Sequence, residues 1–232
     1  MRPERITSRR NPLLQQVRRL LTSRRARQEA GLFVGDGTKL LEEAARWYGH
    51  GLETVILTDT LPTPELPPHT AVYQVPGDVM ESLSPMKTPQ GALFLCRMQP
   101  PVPLKLTPGC LILDGIQDPA DPYNWKTVRA SMGAVFRTQP VQGTGEAVLA
   151  HCQAQGIALA VTALTQRARD IRQAELSQCA VVIGSEGQGV NRLFLEHCQE
   201  ELIIPMNPRC ESLNAATAAT IVMWQMQLEH TG

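Results

Sequence analysis

Residues Ile203 to Gln227 read IIPMNPRCESLNAATAATIVMWQMQ: a strand end, a proline-punctuated loop, then a helix that opens on Ser-Leu-Asn and continues almost wholly in Ala and Thr. Large side chains would gain about 25 cal/mol per Å² of apolar surface buried. The run Ala215, Ala216, Thr217, Ala218, Ala219 therefore answers a demand other than burial. The plain alternative is a serine N-cap leading an ordinary small-residue packing helix.

Composition bounds the rest. A chain of 232 residues with 43% hydrophobic content is globular and long enough for one large domain or two small ones. No apolar run approaches the roughly 18 residues of a membrane span, and MRPERITSRR lacks the apolar stretch of a signal peptide, so the expected compartment is the cytoplasm. Cys96, Cys110, Cys152, Cys179, Cys198 and Cys210 are scattered without a C-x-x-C pair, which suggests reduced thiols, mostly in the core. His151-Cys152 and His197-Cys198 are adjacent pairs, but neighbours on a helix point about 100° apart and rarely share an ion. No metal is expected.

The net charge of zero conceals an asymmetry. Residues 1–28 hold nine arginines against Glu4 alone, a balance of +8, so the remainder carries −8. Within that segment no acid sits at helical spacing to pair with them, and Arg9, Arg10, Arg18, Arg19, Arg24 and Arg25 are candidate RNA contacts. Leu13, Leu14, Val17, Leu20 and Leu21 recur at helical spacing, so the same segment can also dock as an amphipathic helix with its arginines in solvent.

Periodicity predicts strands at 32–34, 54–58, 71–75 and 92–96 with helices at 38–47 and 79–83, a small α/β unit. Prolines 100, 101, 103 and 108 then mark residues 99–109 as a linker. From Cys110 onward, strands are expected at 111–115, 134–136, 158–161, 180–183 and 202–204, and helices at 147–155, 192–197 and 213–227. Apolar strands alternating with helices imply a parallel sheet covered on both faces. The predicted domains are 1–98, made of a basic arm 1–28 and a body 29–98, and 110–232.

In such sheets ligands bind beyond the C-terminal strand ends. There the chain places GSEGQGV, Gly184 to Val190, with three glycines and Glu186. No Lys-Ser/Thr follows the glycines and their spacing is not G-x-G-x-x-G, so neither a P-loop nor a dinucleotide fingerprint is present. By itself the loop reads equally as a tight turn.

Together, VVIGSEGQGV and LIIPMNPRCESLNAATAA resemble motifs two and three of the SpoU/TrmH family, the SPOUT-class RNA 2′-O-ribose methyltransferases. Residues 5–96, with ITSRRNPLLQQVRRL and FVGDGTKLLEEA, resemble the L30e-like substrate-binding domain found in members that act on ribosomal RNA. The resemblance implies an α/β chain with a small L30e-like domain and a parallel-sheet methyltransferase domain closed by a C-terminal trefoil knot. It also implies S-adenosylmethionine as cofactor, RNA, ribosomal before transfer, as partner, and a homodimer. A knot crossing would explain the thin side chains at 215–219. Carried over residue by residue, Gly184, Gly189, Ile204, Met206 and Leu213 would hold the cofactor, while Glu186, Ser212 and Asn214 would line the reacting ribose.

Motif one departs from the family. LDGIQDP, Leu113 to Pro119, is intact, but the G-N-x-G-x-x-x-R-T continuation is missing and the text passes to ADPYNWKTVRASMGAVFRT. In relatives that phrase resembles a later segment, which implies an internal deletion of roughly two dozen residues, about one crossover helix and strand. The competing alignment lets Asn124 and Arg129 of DPYNWKTVR stand for the motif's Asn and Arg, at a separation of five rather than six. The deletion reading implies a chain that binds cofactor and RNA but is catalytically impaired.

Overall fold

The computed structural model describes residues 3–115, 121–185, 188–207 and 213–229, which form two compact α/β units. The first comprises residues 1–101 and 120–140; the second comprises 102–119 and 141–232.

The first unit contains β1 (Glu4–Arg5), α1 (Pro12–Thr22), α2 (Arg24–Ala30), β2 (Leu32–Asp36), α3 (Thr38–Trp47), β3 (Leu52–Thr58), β4 (Ala71–Val75), α4 (Gly77–Leu83), β5 (Ala92–Arg97) and α5 (Trp125–Ala130). Its sheet runs β1-β4-β3-β5-β2, with β1, β4 and β3 parallel and β5 antiparallel to both β3 and β2. Strict alternation sorts the strands onto two cores. Val34, Ile56, Leu93 and Leu95 pack with Leu14, Val17 and Leu20 of α1, whereas Phe33, Val55, Leu57 and Phe94 pack with Leu40, Leu41 and Ala44 of α3. Local chemistry starts these helices: Asn11 caps α1 by accepting from Leu13 N, and Ser23 ends α1 while capping α2 through Ala26 N.

Residues 120–140 pack with this unit, although the sequence reading put them in the second domain. Their apolar residues find a home here: Val128 and Phe136 are buried in the α3-side core, and the Phe33 and Tyr123 rings meet at a tilt of 36° with centroids 4.8 Å apart. Arg27, expected in a solvated arm, is instead buried with its Nε 2.9 Å from Asp121 Oδ2. α5 lies against the edge strand β2, where Val128 joins Phe33 in the α3-side core. The expected strand at 134–136 is a 3₁₀ turn, entered through Gly133 at φ 89°, so the segment reverses direction rather than extending.

The second unit contains β6 (Cys110–Leu113), α6 (Gly145–Gln155), β7 (Ala158–Thr162), β8 (Arg169–Asp170), β9 (Cys179–Ile183), α7 (Arg192–His197), β10 (Glu200–Ile203) and α8 (Ala215–Glu229). Its sheet, β6-β9-β7-β10-β8, is parallel at every pairing, as the alternation of apolar strands with helices predicts. Half of the expected linker is structural: Leu104 and Leu106 pack on the α6-side core, and Leu106 N donates to His151 Nε2 at 3.2 Å. On the other face α8 buries Ala218, Ala219, Val222 and Met226. Of the described cysteines only Cys96 and Cys152 are buried, so the thiols are less of a core feature than expected; burial pushes both thiols up. The expected knot depends on how the stretch leading into α8 is threaded, and residues 208–212 of that stretch lie outside the described residues.

Candidate active site

Three adjacent parallel strands, β9, β7 and β10, end together at Ile183, Thr162 and Ile203, and beyond them lies a cavity of about 460 Å³. That volume lies in the range of small-molecule sites, and its position is the usual one for an open parallel sheet. Its walls are mostly apolar, including Val190, Leu202 and Ala218, with Thr162, Thr165, Ser185 and Gln188 as polar points.

Gly184, Gly189, Ile204, Met206 and Leu213, from three separated stretches of sequence, all line this cavity. The reason for one glycine differs from the expectation. A Cβ on Gly184 would lie 2.0 Å from Gly189 C and 2.2 Å from Val190 N, so the room it leaves is filled by the chain's own backbone rather than by a ligand. The loop folds back on itself there, with Gly189 N donating to Ser185 O at 2.9 Å and Gly189 at φ 70°. Motif-one Asp114 fastens the far end of the loop, accepting from Asn191 N at 2.5 Å, while the Asn191 side chain caps α7 through Leu193 N.

Asn214 caps α8: its Oδ1 accepts from Thr217 N at 2.7 Å and its carbonyl accepts from Ala218 N at 3.0 Å. The cap is therefore Asn214, where the simplest sequence reading expected a serine, and the side-chain amide N–H groups remain as donors. Glu186 and Ser212 lie outside the described residues. In the small-residue run, Ala218 and Ala219 are buried, whereas Ala216 and Thr217 are exposed. Sequence reasoning missed Thr162, Ala163, Leu164 and Thr165, because a turn without glycines gives no signal until strand order places it beside the glycine loop.

The arginine helices are less free than the charge count suggested. Arg9 pairs with Asp78 at 2.7 Å, Arg5 with Asp59 at 3.1 Å, and Arg25 with Glu29 at 2.7 Å, an i,i+4 pair the sequence reading did not anticipate. Arg18 donates to Arg9 O and Ser82 Oγ. Arg10, Arg19, Arg24 and Arg25 are exposed. Among the described residues no three His, Cys, Asp or Glu side chains converge as a metal site.

Comparison with known proteins places this geometry. The SpoU rRNA Methylase family matches residues 111–224, and the MRM3-like substrate binding domain matches residues 11–93. The 23S rRNA (guanosine(2553)-2′-O)-methyltransferase RlmP of Bacillus subtilis is 27% identical over 233 residues, covering 89% of this chain and 93% of that protein. Aligning 233 positions to 89% of a 232-residue chain requires gaps of about two dozen positions in this chain. A crystal structure of an RNA 2′-O ribose methyltransferase superposes with a TM-score of 0.79 at 23% identity, covering 98% of this chain and all of that one. An AdoMet-bound rRNA methyltransferase from Sinorhizobium meliloti gives 0.79 at 22% identity, with 97% of each chain covered. With its cavity beyond the ends of a parallel sheet and both of its units matched, the chain belongs to the SpoU/TrmH family of RNA methyltransferases and carries an MRM3-like substrate-binding domain ahead of the methylase domain.

Proposed function

We propose that this chain binds S-adenosylmethionine in the β9-β7-β10 cavity and is an RNA 2′-O-ribose methyltransferase acting on ribosomal RNA in preference to transfer RNA. The observation that carries this reading is the convergence of Gly184, Gly189, Ile204, Met206 and Leu213 on one nucleoside-sized apolar cavity. These residues suit the cofactor's adenosine half. When bound, the cofactor supplies a sulfonium methyl for transfer to a ribose oxygen. The chain's own part is positioning: Asn214 at the head of α8, with Glu186 and Ser212, orients the ribose and polarises its 2′-hydroxyl. Arg10, Arg19, Arg24 and Arg25 supply phosphate contacts on the substrate-binding unit.

Turnover by the chain as it stands is slow. Asn124 and Arg129, the stand-ins for the motif-one pair, have local duties in the first unit. Asn124 Oδ1 accepts from Lys126 N to cap α5, and the Arg129 charge acts on buried Asp36. The loss of one positioned transition-state contact typically costs about 10²–10³ in rate. We further place the protein in the cytoplasm as a homodimer. Met223, Trp224 and Leu228 of α8 stand exposed at 51%, 65% and 47%, while Met226, expected beside them, is buried at 6%.

Calorimetry with S-adenosylhomocysteine and transfer of tritiated methyl groups to total ribosomal RNA test the reading together. Cofactor binding with weak transfer, raised by a family-like motif-one segment inserted between Pro119 and Ala120, is expected. Absence of cofactor binding refutes the site, and full transfer by the unaltered chain refutes the impairment. A strict monomer by light scattering at tens of micromolar refutes the dimer.

A further inference from the structure

At the C-terminal end of α3, Trp47 is 47% exposed, and two guanidinium groups lie over its indole ring: Arg46 Cζ at 5.0 Å and Arg137 Cζ at 5.6 Å from the centroid. Arg137 comes from the segment 120–140 and is held by Glu43, one turn before Trp47, at 2.7 Å. Gly133 packs against the same glutamate, where a Cβ would come within 3.0 Å of its side chain. Immediately before it, Met132 is 72% exposed and sits at φ 47°, the only non-glycine at positive φ among the described residues. A bulky side chain in that region costs free energy. The segment therefore presents a large apolar side chain to solvent in a strained conformation.

Packing does not explain this arrangement, because the α3-side core is completed by Phe136, Val128 and Tyr123. Ion pairing with Glu43 accounts for Arg137 but not for Arg46, which has no carboxylate partner among the described residues. Guanidinium groups over an indole make a layered cation-π stack that carries positive charge. Unpaired bases stack on aromatic rings and on guanidinium planes, and phosphates satisfy the guanidinium donors. A protein partner would be expected to bury a wider apolar patch than one indole and one thioether.

We propose that Trp47, Arg46 and Arg137 form a stacking platform for an unpaired base of the RNA substrate. The platform belongs to the opposite face of the β2–β5 sheet from α1, so it is separate from the arginines of the N-terminal segment. This inference rests on RNA being the substrate. It adds that the RNA offers an unpaired nucleotide, and it gives the captured segment 120–140 a role in recognition.

The full chain is titrated with a single-stranded RNA and with a duplex of equal length. Trp47→Ala should weaken single-strand binding about tenfold and leave duplex binding unchanged, and Trp47→Phe should restore most of the loss. Far-UV circular dichroism and thermal melting verify that each variant folds. Equal single-strand affinity for Trp47→Ala and the wild type overturns the platform. If affinity falls only in an Arg10→Ala/Arg19→Ala variant, the RNA reading stands and the platform does not. A wild-type chain that binds neither RNA overturns both. Trp47→Ala altering only the mass seen by light scattering reassigns the surface to self-association and overturns the proposal.

Discussion

Gly184→Ala tests the geometry of the cavity most sharply. The added methyl would sit 2.0 Å from Gly189 C, 2.2 Å from Val190 N and 2.3 Å from Gly189 O, whereas ordinary contact begins near 3.4 Å. All three neighbours are backbone, so no side chain can swing away, and the loop must retreat by more than 1 Å. It is held at both ends, by the Gly189 N to Ser185 O bond at 2.9 Å and by Asp114 on Asn191 N. Overpacking of this kind costs about 1–3 kcal/mol. If the loop resists, the cost appears as lost stability of the second unit. If it yields, it moves into the space lined by Ser185, Gln188 and Val190, and S-adenosylhomocysteine affinity falls about 5- to 150-fold, at 1.4 kcal/mol per decade. Calorimetry and urea unfolding read the two parts. Gly189→Ala is the control for the urea arm only, since Gly189 lines the same cavity: at φ 70° its Cβ meets no protein atom within 4 Å, and stability falls by about 1–2 kcal/mol of left-handed strain. If Gly184→Ala leaves both affinity and stability within about 0.5 kcal/mol of wild type, the tight fold-back is wrong.

Phe136→Ala should destabilise the first unit by about 3–5 kcal/mol in urea unfolding and leave cofactor affinity in the second unit unchanged, because Phe136 fills the core between Phe33, Tyr48 and Phe94. Loss of cofactor binding instead would return residues 120–140 to the methylase unit. Burial raises the Asp36 carboxyl above its usual range, opposed by the Ser84 hydrogen bond and by Arg129, so its ionisation costs stability. That contribution favours the fold below the ordinary carboxylate pKa and is lost as pH rises through the folded value. Asp36→Asn should therefore raise the melting temperature at pH 7.5 and lose its advantage by pH 3.5; a gain independent of pH would contradict the assignment.

Much of this was legible in the residues themselves. The helices at 38–47 and 192–197 and the strand at 71–75 fall where periodicity put them, because each follows from the local pattern of apolar residues, and at 192–197 also from the Asn191 cap. The cavity lining was legible in part through the family resemblance, since Gly184, Gly189, Ile204, Met206 and Leu213 sit in its two motifs and line one cavity. Long-range partners were not. Nothing local tells that Arg27 pairs with Asp121, 94 positions away, or that Thr165 shares a cavity with Gly189.

The sequence by itself determined the alternation of elements, the parallel second sheet and the family, because periodicity, turn chemistry and motifs are short-range properties. Only the tertiary structure decided where residues 120–140 belong. Read locally, their apolar side chains fit either unit; the choice follows from where a core had room for Phe136 and a buried guanidinium needed a carboxylate. Those are demands made by residues distant in the chain, and they exist only once the first unit has folded around them.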